Sequence, residues 1–316
     1  SASALGASLA HPGNAMAALA GYMKVLRPMA TVLCVLGCWD GGRHNEETAI
    51  GLAIGTVLFL GQSLVVTIVK HGWFAPGYKQ LTGLIPGAGA TGSFLVLVTP
   101  MLLGLGLCST NAEQGRRFII IGLLSSLYVF LTLSRAAVVG FVTSIIVMTI
   151  SALYKKQFRR IRPLVAALGA TGAFVLRYQA SDYFADKFRL MLHGSPLDYY
   201  NLEARVRIWG TALGLVRENW ISGIGPAMWG VVTIGQGHHV HNGYLQYLVE
   251  LGIPAAVVLL AIFLISCVNF LKYIKAYSQP INSKNDFGFA IGMFAGICGY
   301  LVTQVFENTL THHRVT

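Results

Sequence analysis

The chain of 316 residues is 54% hydrophobic and only 11% charged, with a formal net charge of +11 and a mean hydropathy of +0.62. Ordinary soluble domains carry about 25% charged residues, so a soluble two-domain protein is excluded in favour of apolar runs that cross a bilayer, about 17–25 residues each. The basic excess argues equally little for nucleic acid, because it lies in short clusters between those runs, where membrane topology places it.

Residues 1–28 are small and rich in Gly and Ala, with Pro12, Lys24, Arg27 and Pro28, and the start at Ser1 without a methionine is compatible with a fragment. No cleavable signal peptide is evident there. The run 29–39 is apolar but too short to span unless it extends back past Lys24. A span is predicted over 49–69, then a loop over 71–92 that carries Lys79, and 93–108 is a span if it begins near Leu84. Two more, 118–133 and 136–153, are joined only by Ser134 and Arg135. The stretch 162–176 is a further span, helped by flanking arginines whose stems can snorkel. Residues 177–240 form the long polar segment, and 253–271 and 287–306 are the last spans. The expected fold is all-α: a polytopic transmembrane helical bundle of about eight helices. Its parts are membrane helices in 1–176, a loop domain with amphipathic helices in 177–240, and membrane helices with the C-terminus in 241–316. Cys34, Cys38, Cys108, Cys267 and Cys298 lie in or beside apolar runs and read as small core residues, without a disulfide framework.

Orientation follows from the basic loops. Residues 154–162 hold Lys155, Lys156, Arg159, Arg160 and Arg162 without an acid, and 272–286 hold Lys272, Lys275 and Lys284 against Asp286. Both loops belong on the cytoplasmic side with Arg116 and Arg117. The outer side then receives Ser134-Arg135, the 70–92 loop, the 177–240 segment and Glu307-Asn308. Lys24, Arg27, Lys70 and Lys79 fit this topology badly. Unusual polar groups therefore gather at the outer membrane face.

Three stretches there carry candidate chemistry. Arg135 sits between two apolar helices, where it serves either as a turn-end cation reaching headgroup phosphates or as a fixed cation for an anionic lipid-linked substrate. Residues 201–220 read as an amphipathic helix, with Ile208, Trp209, Leu213, Leu215 and Val216 at helical spacing and Arg205 and Arg207 on different faces near its start. It ends in the turn-forming Ser222-Gly-Ile-Gly-Pro226. His238, His239 and His241 follow, crowded before the next hydrophobic run. As metal ligands they are weak, because no carboxylate accompanies them and the 12 acidic residues include no Asp-x-Asp pair. A site without metal or cofactor, in which arginines neutralise phosphates, is more economical. Asn242 is placed to cap a helix over 243–251, whose N-terminus offers N–H groups to an anion. Neither a Gly-x-Ser-x-Gly elbow nor a P-loop occurs.

On these residues the chain resembles the bacterial O-antigen ligase and polymerase superfamily, and most closely the WaaL-type O-antigen ligases. Thr132-Leu-Ser-Arg-Ala136 is similar to the family's Ser-Arg-small motif. Ala204-Arg-Val-Arg-Ile-Trp209 with Gly223-Ile-Gly225 is similar to its Arg-x-x-x-Trp…Gly-x-Gly segment. His241-Asn242-Gly-Tyr244-Leu245 with Glu250-Leu-Gly252 is similar to its His-Asn-x-x-Leu…Glu-x-Gly motif. The resemblance implies a GT-C-like glycosyltransferase of about a dozen membrane helices with one large periplasmic loop, in the bacterial inner membrane, its active site on the periplasmic face. It further implies metal-independent, inverting transfer of a glycan from undecaprenyl pyrophosphate to a sugar hydroxyl of lipid A–core, within lipopolysaccharide biosynthesis. His241 maps to the general base, Arg205 to the main pyrophosphate ligand, Arg135 to a second and Arg207 to a helper, with Asn242, Tyr244 and Glu250 supporting the motif. A Wzy-type polymerase, a ligase that transfers glycan to protein such as pilin, and a transporter of lipid-linked saccharides remain the alternatives.

Overall fold

The computed structural model describes residues 45–71, 88–109, 111–132, 134–154, 196–226, 228–233, 240–276 and 284–306, with isolated positions at 165, 168–169 and 172–173. Every regular element among these residues is helical: α1 (Asn45–His71), α2 (Ala88–Cys108), α3 (Ala112–Leu131), α4 (Arg135–Tyr154), α5 (Pro196–Glu218), α6 (Trp229–Val232), α7 (Gly243–Ala276) and α8 (Lys284–Phe306). All but α5 and α6 contain stretches long and apolar enough to cross a membrane. Over the described residues the chain is an all-helical, multi-pass membrane protein.

The spans expected at 49–69, 93–108, 118–133, 136–153, 253–271 and 287–306 each correspond to a helix, with shifted ends. The start of α3 moves forward because Asn111 caps it, its Oδ1 accepting from the N–H of Glu113 at 3.0 Å and of Gln114 at 3.3 Å. Arg116 and Arg117 therefore lie inside the helix. α7 begins at Gly243 and runs through the segment expected to precede the span. The run 29–39, most of 162–176, the 155–162 loop, Lys24, Arg27, Lys79, Cys34 and Cys38 lie outside the described residues. Cys108, Cys267 and Cys298 are half-buried thiols on membrane helices.

The chain divides into two compact units, one holding α1–α4 and most of α8, the other α5, α6 and most of α7. In the first unit, α2 is enclosed by its neighbours, with Leu95, Val96, Leu102 and Leu103 fully buried. Ala49, Ala53, Val98, Leu102, Leu105 and Phe118 join α1, α2 and α3 into one apolar cluster. The other side of α1 exposes Ile54, Leu58 and Val65, as a lipid-facing helix does.

Small residues bring α8 close to α2. A Cβ at Gly288 would lie 2.2 Å from the Gly104 carbonyl oxygen, one at Gly292 2.3 Å from that of Pro100, and one at Gly296 2.3 Å from that of Leu97. Gly288, Gly292 and Gly296 repeat every fourth residue, the small-xxx-small arrangement that lets membrane helices pack backbone to backbone. Gly104→Ala would set its methyl 2.1 Å from the Gly288 oxygen. The substitution should cost about 1–3 kcal/mol, seen as a lower thermal midpoint of the detergent-solubilised protein.

Candidate active site

In the second unit, α5 packs on a helix–loop–helix frame through one face. Ala212, Ile224, Met228, Trp229, Val240 and Val249 form its core, with Ile208, Trp209, Leu215, Val216 and Leu245 against them. The amphipathic reading of 201–220 holds for this face. Leu213 departs from it and is exposed, because at 100° per residue it sits about 40° beyond Trp209, past the edge of the packed face.

Breaking α7 is what brings the loop home. At Gly252 the backbone turns to φ 80, ψ 175, and Pro254 has no N–H to offer the Glu250 carbonyl. The N–H of Ile253 is diverted to the Trp220 carbonyl at 2.8 Å. Two carbonyls of α7 are thereby released, and the returning loop satisfies them: Ile224 donates to Val249 at 2.9 Å and Gly225 to Glu250 at 3.0 Å. The loop makes this return with Gly223, whose N–H donates to the Asn219 carbonyl at 2.8 Å, and Gly225 at φ of 63 and 102. The Gly-x-Gly stretch and the Glu-x-Gly stretch are thus two halves of one docking joint.

His241 lies just before the start of α7, at the other end of the segment that Gly252 breaks. It is the one non-glycine residue with positive φ among the described residues, at 56, and its side chain is exposed. The residue before it is fixed on both sides. Val240, fully buried, donates its N–H to Gln246 Oε1 at 2.9 Å and accepts at its carbonyl from Trp209 Nε1 at 2.9 Å. The residue after it caps α7 as expected: Asn242 Oδ1 accepts from the N–H of Leu245 at 3.0 Å. Gln246 and Glu250 are both buried, and the Gln246 amide donates to the Glu250 carboxylate. Tyr244 is exposed at the start of α7.

Arg205 lies one turn before Trp209 on α5 and is half-buried. An i, i+4 pair shares a helix face, so the guanidinium is carried on the face whose indole bonds the peptide next to His241. Arg207 is rotated about 160° away, exposed, with its guanidinium 4.0 Å from Glu203. These two arginines take the separate faces expected of them. Gln246 was not singled out by sequence; its signal is a pair of polar residues, Gln246 and Glu250, at i and i+4 where the chain turns apolar.

Arg135 belongs to the other unit, where it opens α4. The turn before it is built by Thr132, buried, whose Oγ1 accepts from the Ser134 N–H at 3.3 Å, while Ser134 Oγ caps α4 by accepting from Ala137 at 3.3 Å. A cation at a helix N-terminus opposes the helix dipole, so helix stability does not explain Arg135. His238 and His239 lie outside the described residues, and among those described no three of His, Cys, Asp and Glu gather as a metal-binding group.

The family model described as O-Antigen ligase matches residues 120–260, which include Arg135, Arg205 and His241. No curated protein matches the chain.

Proposed function

We propose that the chain, whose residues 120–260 match the O-antigen ligase family model, is a membrane glycosyltransferase of O-antigen processing and, within that class, the ligase itself. In this reading it moves O-antigen polysaccharide from undecaprenyl pyrophosphate to a sugar hydroxyl of lipid A–core on the periplasmic face of the inner membrane. The observation that carries the proposal is the hydrogen bond from Trp209 on α5 to the Val240 carbonyl. It brings the helix face that carries Arg205 to the peptide next to His241, a residue at φ 56, a conformation of the kind that clusters at functional sites.

The chemistry needs an acid–base group and fixed positive charge. As the acceptor oxygen attacks the anomeric carbon, its proton passes to the His241 imidazole. The bond from the anomeric carbon to the pyrophosphate oxygen breaks with inversion, and the electron pair leaves with the pyrophosphate. Arg205 forks onto the developing charge and so favours the transition state over the ground state. No covalent intermediate is required. Arg207 turns to the other face, so Arg207→Ala should lose less than about tenfold in rate, well below the loss from Arg205→Ala.

Presenting labelled undecaprenyl-pyrophosphate-linked glycan to the purified protein with lipid A–core, a second lipid-linked glycan or pilin, each alone, tests the reading. Product on lipid A–core alone supports the ligase. Chain extension alone would make the protein a polymerase, product on pilin a protein ligase, and movement of the glycan across a liposome without transfer a transporter. Transfer should also survive EDTA; loss restored by a divalent ion would overturn the metal-independent mechanism.

A further inference from the structure

We infer that Gln246 and Trp209 are positioning residues of the transfer reaction, gripping the two polar groups of Val240 so that the backbone of His241 holds one conformation. This rests on the reading of His241 as the base. Val240 is fully buried, and its N–H and C=O would be costly if left without partners in that core. Gln246 Oε1 takes the N–H and Trp209 Nε1 takes the carbonyl, each at 2.9 Å. The orientation of the Gln246 amide is itself determined. Its NH₂ end faces the Glu250 carboxylate, an acceptor, which leaves its carbonyl end for Val240.

The grip has a purpose that packing does not supply. An L-residue at φ 56 persists only where its surroundings over-determine it. His241 meets that condition from both directions, through the held Val240 and through Asn242, whose carbonyl accepts from the Gln246 N–H at 2.9 Å while its side chain caps Leu245. Gln246 therefore touches the chain on both sides of the histidine. Relaxing φ at position 241 would swing the whole imidazole, whose task depends on sub-ångström placement against the acceptor hydroxyl.

The test uses the full-length protein in nanodiscs with lipid-linked donor and lipid A–core. Trp209→Phe keeps the ring and removes only the N–H; Gln246→Leu keeps the volume and removes both bonds. For each, kcat per folded molecule should fall by about tenfold to a hundredfold, while KM for the donor stays within about twofold. In the double variant Gln246→Glu with Glu250→Gln, a carboxylate accepts from Val240 and an amide donates to it, and kcat should recover to within about threefold of wild type. A wild-type kcat in folded Trp209→Phe and Gln246→Leu overturns the inference, as does a double variant no faster than Gln246→Leu. His241→Ala, assayed beside them, separates the two claims: if it transfers normally the base is misassigned, and if it is inactive while the other variants are normal only the positioning role fails.

Discussion

Glycan transfer to lipid A–core is expected to collapse in His241→Ala and in Arg205→Ala, while both variants still reach the membrane in normal amount. A positioned general base contributes about 10²–10⁴-fold in rate, and one donor aimed at developing negative charge about 10²–10³-fold. Neither substitution attacks the fold. The His241 side chain is exposed and neither residue belongs to the apolar core of the unit, and alanine suits an α-helix at position 205. Arg205→Lys gives a finer reading: the charge stays and the planar fork is lost, so activity should lie between wild type and Arg205→Ala. Lipopolysaccharide profiles of cells carrying each variant, together with its level in the membrane fraction, supply the measurement. Full-length O-antigen on lipid A–core at wild-type level in either alanine variant would remove the role assigned to that residue.

How far the sequence carried can be read from single residues. The long apolar runs announced their helices because a bilayer demands length and apolarity and little else, and the amphipathic helix expected over 201–220, which runs over Pro196–Glu218, announced itself by period. Asn242 was legible as a cap because the capping bond is local. The joint between Gly223-Ile-Gly225 and Glu250-Leu-Gly252 was not, although both stretches stood out as motifs. Their link is made of backbone hydrogen bonds between residues 25 positions apart, Ile224 to Val249 and Gly225 to Glu250, which side-chain identity does not encode. The glycine ladder of α8 went unread for a related reason: Gly288, Gly292 and Gly296 matter through the carbonyls of another helix. Gln246 was overlooked because its partner, the Val240 N–H, is a main-chain group. Two-sided polar residues at the mouth of an apolar helix are the pattern that would have found it.

The joint itself predicts the largest loss of stability in the second unit. Gly252 sits at φ 80, ψ 175, a region open essentially to glycine alone. A Cβ there would lie 2.4 Å from the Ile221 oxygen and 2.9 Å from the Gly223 nitrogen, backbone atoms that cannot rotate away. Strain of about 1–3 kcal/mol from the dihedral and about 1–3 kcal/mol from overpacking together place Gly252→Ala among strongly destabilising changes. Gly223→Ala meets the Glu250 oxygen at 2.3 Å from the opposite side of the same contact, at φ 63, so it should weaken the same three backbone bonds. Gly214→Ala is the contrast. It lies within α5 with nothing within 4 Å of its would-be Cβ, and should be neutral or stabilise by up to about 1 kcal/mol. Thermal midpoints of the three purified variants decide the matter, and if Gly252→Ala melts with Gly214→Ala the broken α7 is not required by the fold. Activity adds a second readout. A destabilised Gly223→Ala that still folds at low temperature should lose transfer there too, since the docked loop sits against the carbonyls of the helix that Asn242 caps, next to His241. Loss of stability with full activity at low temperature would separate the joint from the chemistry and confine its role to the fold.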